Sequence, residues 1–349
     1  MKDVRIGKYL IGEDHSPFIV AEMSGNHNQS LEQALKIVEA AAAAGAHALK
    51  LQTYTANTIT LNARTSDFTI NNSHSMWNGR NLYDLYSEAY TPWEWHAQIF
   101  NKCKELGLVY FSSPFDETAV DFLESLDVPC YKIASYENGH IPLIKKVAQT
   151  GKPIIMSTGM ATVAELDEAV RVIKETGNEG LILLKCTSNY PASPKNSNVS
   201  TIPYLKKLFD CQVGLSDHTM GIGAPLAAVA FGATLIEKHF TISRAEGGVD
   251  AAFSMEPNEM QSLVIESKRA WEAIGKVQLG PTETEFKSRN NRRSIYASEN
   301  ISIGETITKE NVKIVRPGFG LEPIYMDTIL GRTAKTEIKK GTPISWDLI

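Results

Sequence analysis

Short apolar runs rich in β-branched residues recur eight times along the first 240 residues. They are "FIVAE" (18–22), "ALKLQ" (48–52), "LVYFSS" (108–113), "CYKIAS" (130–135), "PIIMST" (153–158), "LILLKCTS" (181–188), "QVGLS" (212–216) and "TLIEKHF" (234–240). Between most of them lie segments whose apolar residues repeat with helical spacing, such as "SLEQALKIVEAAAAAG" and "TVAELDEAVRVIKETG". Ser30 and Gly45 bracket the first of these, and Thr162 with Glu165 is a capping-box signature for the second. Strands alternating with helices predict parallel pairing with right-handed crossovers. Runs apolar almost throughout predict strands buried on both faces. Eight such units predict an α/β chain folded as a (β/α)8 TIM barrel over residues 1–275. No glycine-rich fingerprint follows the first strand, which counts against a dinucleotide-binding sheet.

The second unit is longer than the rest by roughly 35 residues, a length that in a compact domain is usually functional. The extra segment, "TYTANTITLNARTSDFTINNSHSMWNGRNLYDLYSEAY", is polar and aromatic, and Trp77, Tyr83 and Tyr86 predict an ordered rim element near the barrel mouth. After Gly275 the pattern changes. Residues 276–287 read as a charged linker, and 288–349 as a small domain of short strands containing two similar pieces, "ISIGETITKENV" (301–312) and "IKKGTPISWDLI" (338–349). About 60 residues lies near the lower limit for independent stability, so a domain of this size is expected to lean on something larger.

Composition narrows the classes. Apolar residues make up 43% and charged residues 21% of the 349, as in a globular chain. The charges in "MKDVRIGKYLIGEDHS" leave no secretory apolar core, and "GIGAPLAAVAFGATLI" is too short and glycine-rich to span a bilayer. Four scattered cysteines fit a reducing cytoplasm rather than a disulfide scaffold or zinc knuckle. A net charge of −5 argues against nucleic acid as a partner, so any bound anion needs locally placed cations.

Barrel chemistry sits at the C-terminal strand ends, and there the polar residues collect: Glu22; Lys50 and Gln52; Ser113; Lys132, Ser135 and Glu137; Ser157; Ser188; Ser216 and His218; Glu237 and His239. Two lysines among serine hydroxyls suit a phosphate, although serines in these places also serve as helix caps. His218 and His239 end consecutive strands, expected to lie about 4.8 Å apart, so their imidazoles can meet one ion. Two protein nitrogens with open positions suit Mn²⁺, Mg²⁺ or Co²⁺ better than structural zinc. Two other readings stay open: a Schiff-base aldolase using Lys132 or Lys185, and a non-catalytic glycan-binding protein.

The ordered motifs "AEMSGNHNQS", "KLQTYT", "FSSPFD", "YKIASYE", "IIMSTGM", "CTSNYP", "VGLSDHT" and "IEKHF" resemble the sialic acid synthase family. "RRSIYAS…RPGFGL…LGR" resembles that family's antifreeze-like (SAF) domain. Within the family, "KLQTYTANTITLN" and "LYDLYSEAYTPWEWH" look most like the pseudaminic acid branch. The resemblance implies metal-dependent condensation of phosphoenolpyruvate with an open-chain amino sugar and water, releasing phosphate. For this branch the sugar is 2,4-diacetamido-2,4,6-trideoxy-β-L-altropyranose; the alternatives are the neuraminate and legionaminate precursors. It also implies a phosphoenolpyruvate pocket of Lys50, Gln52, Ser113, Lys132, Ser135, Ser157, Ser188 and Ser216, with a metal on His218 and His239. Glu22 and Glu137 would be catalytic, and Tyr190 and Asp250 would face the sugar. Arg316 would arrive from the small domain of the partner in a swapped homodimer. Two departures bear on the sugar: "GVDA" keeps Asp250 but has Ala251 where many members have histidine, and Ser188 replaces an asparagine of some neuraminate synthases.

Overall fold

The computed structural model describes residues 1–73 and 75–349. They form two compact units, Met1–Gly275 and Lys276–Ile349. The first opens with an antiparallel hairpin of β1 (Val4–Ile6) and β2 (Tyr9–Ile11), which the hydrophobic pattern did not predict. Eight strands follow: β3 (Phe18–Glu22), β4 (Ala48–Thr53), β5 (Val109–Pro114), β6 (Tyr131–Ile133), β7 (Ile154–Ser157), β8 (Leu181–Cys186), β9 (Gln212–Asp217) and β10 (Leu235–His239). They pair in parallel and in chain order, and β10 returns to β3 to close the barrel. The predicted (β/α)8 architecture is therefore present.

Alternation along each strand sorts the side chains. Outward residues such as Ile19, Leu49, Leu51 and Ile236 pack under the surrounding helices in one core. Inward residues of the lower barrel, including Phe18, Val20, Phe111, Ile155, Ile182 and Leu184, form a second core. Ile6 and Ile11 of the hairpin belong to that second core, so β1 and β2 plug the N-terminal end of the barrel. Each such side chain contributes about 1.5–3 kcal/mol when fully buried.

Helix boundaries follow the capping signals. Ser30 accepts from Gln33 N at the start of α1 (Leu31–Ala43), and Thr162 with Glu165 completes a capping box before the helix Val163–Glu175. One strand is shorter than its apolar run. β6 stops at Ile133 because the chain turns into a 3₁₀ segment, Ser135–Glu137, which lifts Glu137 over the mouth.

The second unit has its own core, with Ile295, Ile301, Ile307, Ile338 and Ile344 each at most 2% exposed. Its two similar pieces meet: Ile301 and Ile338 exchange backbone hydrogen bonds of 2.8 and 2.9 Å. Strands β11 (Ser294–Ala297) and β12 (Val312–Val315) pair antiparallel beside them. Among the described residues no helix is long and apolar enough to cross a membrane.

Candidate active site

The strand register builds the site. Pairing sets His239 beside Glu22 and Glu22 beside Lys50, while Cys186, Ser216 and Glu237 form a second row across β8, β9 and β10. Above the apolar lower layer the barrel interior thus becomes charged. Lys50 Nζ lies 2.5 Å from Glu22 Oε2 and 3.7 Å from Glu237 Oε1, and Lys132 Nζ lies 3.6 Å from the same Glu237 oxygen. All four side chains are buried. Lys50 also donates to Ser113 Oγ at 3.4 Å, and Ser216 Oγ donates to Glu237 Oε1 at 3.3 Å. Two lysines and two carboxylates interleave here, so an entering anion meets both ammonium groups in competition with Glu22 and Glu237. The Ser157 hydroxyl is buried here without a hydrogen-bond partner.

Ser135 and Ser188 converge on Gly159, whose N–H donates to Ser135 Oγ at 3.1 Å. A Cβ on Gly159 would stand 2.2 Å from Ser188 Oγ and 2.7 Å from Ser135 Oγ, so the absent side chain is what lets both hydroxyls occupy this corner. Gln52 extends the polar layer upward, donating to Glu22 Oε1 at 3.0 Å and to Ser24 Oγ at 3.1 Å. Ser24 in turn hydrogen-bonds Asp250. The loop carrying Asp250 approaches closely at Gly248, where φ is +128° and a Cβ would stand 3.1 Å from the side-chain oxygens of Asn26 and Asn28.

At the mouth the His218 and His239 ring centroids are 5.4 Å apart. His218 Nδ1 lies 3.0 Å from the Thr187 carbonyl, which fixes the hydrogen on Nδ1 and the lone pair on Nε2 when the ring is neutral. His239 Nδ1 is buried without a hydrogen-bond partner, 3.8 Å from Asp250 Oδ2. Burial, reinforced by nearby cations, holds this ring well below the usual imidazole range, so the contact joins a neutral ring to the carboxyl and is no ion pair. The two imidazoles alone offer a divalent cation two nitrogen donors, with its other positions going to water or substrate. Among the described residues no three His, Cys, Asp or Glu side chains gather around a single point. Tyr190 packs 4.3 Å from His218 and 6.3 Å from His239, centroid to centroid.

The NeuB family profile matches residues 37–279, and the SAF domain profile matches 292–349. The chain belongs to the NeuB family. Pseudaminic acid synthase of Campylobacter jejuni is 44% identical over 338 residues, covering 97% of each chain. The Helicobacter pylori protein of the same name is 42% identical, covering 95% of this chain and 97% of its own. The crystal structure of N-acetylneuraminic acid synthetase from Leptospira borgpetersenii, in complex with citrate, is 31% identical with a TM-score of 0.73, covering 82% of this chain and 95% of that one.

In this NeuB chain the fourteen barrel residues singled out from sequence lie along the upper interior or on the loops after the strands, whereas Arg316 belongs to the SAF unit. Arg316 is exposed at the end of β12, on a turn pinned by Ser294, whose Oγ donates to Pro317 O and accepts from Gly320 N at 2.7 and 2.9 Å. Lys185 faces away from the interior and donates to the Cys186 carbonyl and to Thr187, which removes it as an interior nucleophile. Burial, offset in part by Lys132, pushes the Glu137 carboxyl up to about 7, and its Oε2 has no partner. Burial also raises Glu22, against the pull of Lys50. For Glu237 burial pulls upward, but Lys132 and Lys50 together outweigh it and the carboxyl stays ionised.

Sequence reasoning passed over several residues. Glu237 was noted at a strand end, but its place between two lysines requires barrel closure. Cys186 was read as one of four scattered thiols, yet it faces inward beside His218 and Ser188. Trp77 and Phe253 both pack against Tyr190, at 6.0 and 5.4 Å. The period of two along β8 and β10 was the available signal for Cys186 and Glu237; the aromatic contacts had none.

Proposed function

We propose that this NeuB-family enzyme condenses phosphoenolpyruvate with open-chain 2,4-diacetamido-2,4,6-trideoxy-β-L-altropyranose and water, giving pseudaminic acid and phosphate. One observation carries the reading: two buried lysines interleave with Glu22 and Glu237 among serine hydroxyls, beside a pair of imidazoles at the strand ends. The lower part suits a phosphorylated carboxylic acid, and the upper part suits a carbonyl brought to meet it. The names of the 42–44% identical relatives support the choice of sugar.

In this reading Lys50, Lys132, Ser113, Ser135, Ser157, Ser188 and Ser216 hold phosphoenolpyruvate with its methylene carbon facing the aldehyde. That carbon forms the new bond to the sugar's C1, and the aldehyde oxygen takes a proton. Glu137 supplies it from Oε2, since its raised affinity for a proton leaves a donor near neutrality. The former C2 of phosphoenolpyruvate becomes cationic, is stabilised by Glu22, and accepts water, which gives up a proton to the Glu137 carboxylate and so restores the donor. Breaking the bond from this carbon to the phosphate oxygen, while the new hydroxyl's proton passes to the departing phosphate, releases phosphate to the lysines and leaves the ketone. His218 and His239 would hold a divalent cation, which when bound supplies Lewis acidity to the aldehyde. Tyr190 and Asp250 orient the sugar, and Arg316 of the partner subunit closes over it in a swapped homodimer.

Mass spectrometry of the product from phosphoenolpyruvate with this sugar and with N-acetylmannosamine tests the reading. A pseudaminic acid mass, with kcat/KM higher for the diacetamido sugar, is expected; the reverse order refutes it. Borohydride with pyruvate should trap no adduct on Lys132, whereas a trapped adduct would establish the aldolase alternative.

A further inference from the structure

We propose that Trp77 is a specificity-determining residue for the sugar, forming with Tyr190 and Phe253 an apolar wall on which the deoxygenated end of the substrate packs. The inference rests on the substrate assigned above. Trp77 lies in a hairpin of the inserted segment, where Thr69 bridges Asn81, Ile70 N donates to Arg80 O at 2.9 Å and Gly79 N donates to Ile70 O at 2.7 Å. Its neighbours Met76 and Asn78 are exposed, but the indole is half-buried. Two contacts outside the hairpin account for that. Trp77 Nε1 donates to the Val249 carbonyl at 3.2 Å, one residue before Asp250, and the ring lies 6.0 Å from Tyr190.

From Tyr190 the aromatic surface continues to Phe253 at 5.4 Å, which lies 5.0 Å from His239. One side of the mouth is therefore a run of rings ending at the imidazoles. Meeting this run at His239, whose Nδ1 lies 3.8 Å from Asp250 Oδ2, is a polar chain of Glu22, Gln52, Ser24 and Asp250 linked by hydrogen bonds. A site with one polar and one apolar wall sorts a sugar by where its hydroxyls are missing. Amide and hydroxyl groups find partners on the polar side, and a terminal methyl group loses nothing against the rings. A hydroxymethyl group in the same place leaves its oxygen without a hydrogen bond.

The test compares kcat/KM for the 6-deoxy diacetamido sugar and for N-acetylmannosamine in the wild type, Trp77→Ala, Trp77→Leu and Trp77→Phe. An apolar pocket discriminates one such group by about 10- to 200-fold, so Trp77→Ala should shrink the preference for the deoxy sugar by roughly tenfold. Trp77→Phe keeps a ring but not the N–H, and should retain most of the preference; Trp77→Leu should fall between. KM for phosphoenolpyruvate should stay within about twofold, because Trp77 touches only the sugar side. Equal losses on both sugars, or a matching loss of phosphoenolpyruvate affinity, would overturn the inference by making Trp77 a loop anchor alone. A wild type that prefers N-acetylmannosamine overturns the substrate assignment itself, and that result is read before any substitution is made.

Discussion

Glu137 places a carboxyl that titrates near neutrality over the barrel mouth, and this has two consequences of known sign. Between the ordinary glutamate value of 4.5 and about 7 the folded protein holds this proton while the unfolded chain has released it. Stability contributed by the protonated form is therefore lost as pH rises through that window, and Glu137→Gln should flatten that part of a stability–pH curve. As the proton donor in the proposed reaction, Glu137 should also impose a fall in kcat/KM above about pH 7, and Glu137→Gln should remove that limb while lowering the rate by roughly 10²–10⁴-fold. A limb that persists in the variant would assign the ionisation elsewhere. At the imidazoles, His218→Ala should weaken Mn²⁺ binding, measured by titration calorimetry, by more than the roughly 10–100-fold typical of losing a supporting hydrogen bond. Removing divalent ions with chelator should abolish turnover, with Mn²⁺, Mg²⁺ or Co²⁺ restoring it. The fold should survive the substitution, since the ring lies at the mouth, outside both barrel cores.

Among the elements, the turn after β7 is defined by what Gly159 lacks. Gly159→Ala would push its methyl group into Ser188 Oγ and Ser135 Oγ, both ends of side chains that can rotate away. The expected outcome is a nearly unchanged melting temperature with a KM for phosphoenolpyruvate raised about tenfold, the equivalent of one lost hydrogen bond to a charged group. An unchanged KM would show that this corner does not bind the substrate. The eight barrel strands were legible because burial on both faces makes each a mostly apolar run, and period two puts Lys50 with Gln52, and Glu237 with His239, on one face. The hairpin was not legible. "VRI" and "YLI" are three residues each and set among charges, and their apolar character has meaning only against the barrel floor. Trp77 was legible as part of an ordered rim element, but its partners were not, because Tyr190 and Val249 are more than 100 residues away. In the small domain the repeat of two similar pieces was legible, but not the isoleucine core they form together.

For the molecule as a whole, the shared-site proposal predicts complementation. Arg316→Ala and Lys50→Ala subunits, each nearly inactive alone, should regain activity when mixed under conditions that let dimers exchange. One of the two sites in each mixed dimer then receives an intact barrel and an intact Arg316. No recovery would mean that every site draws both residues from one chain. The hairpin has a consequence of another kind. Residues 4–11 are made well before β10, yet the floor they cover includes Leu235, and the Gln212 side chain reaches back to the Lys2 carbonyl across 210 residues. The barrel itself closes only when β10 reaches β3. During synthesis the plug must therefore wait, exposed, while more than 200 residues emerge, and the seam and the floor can set only together at the end. Ile6 and Ile11, silent in the finished protein, are in that interval apolar surface that a chaperone would have to shield.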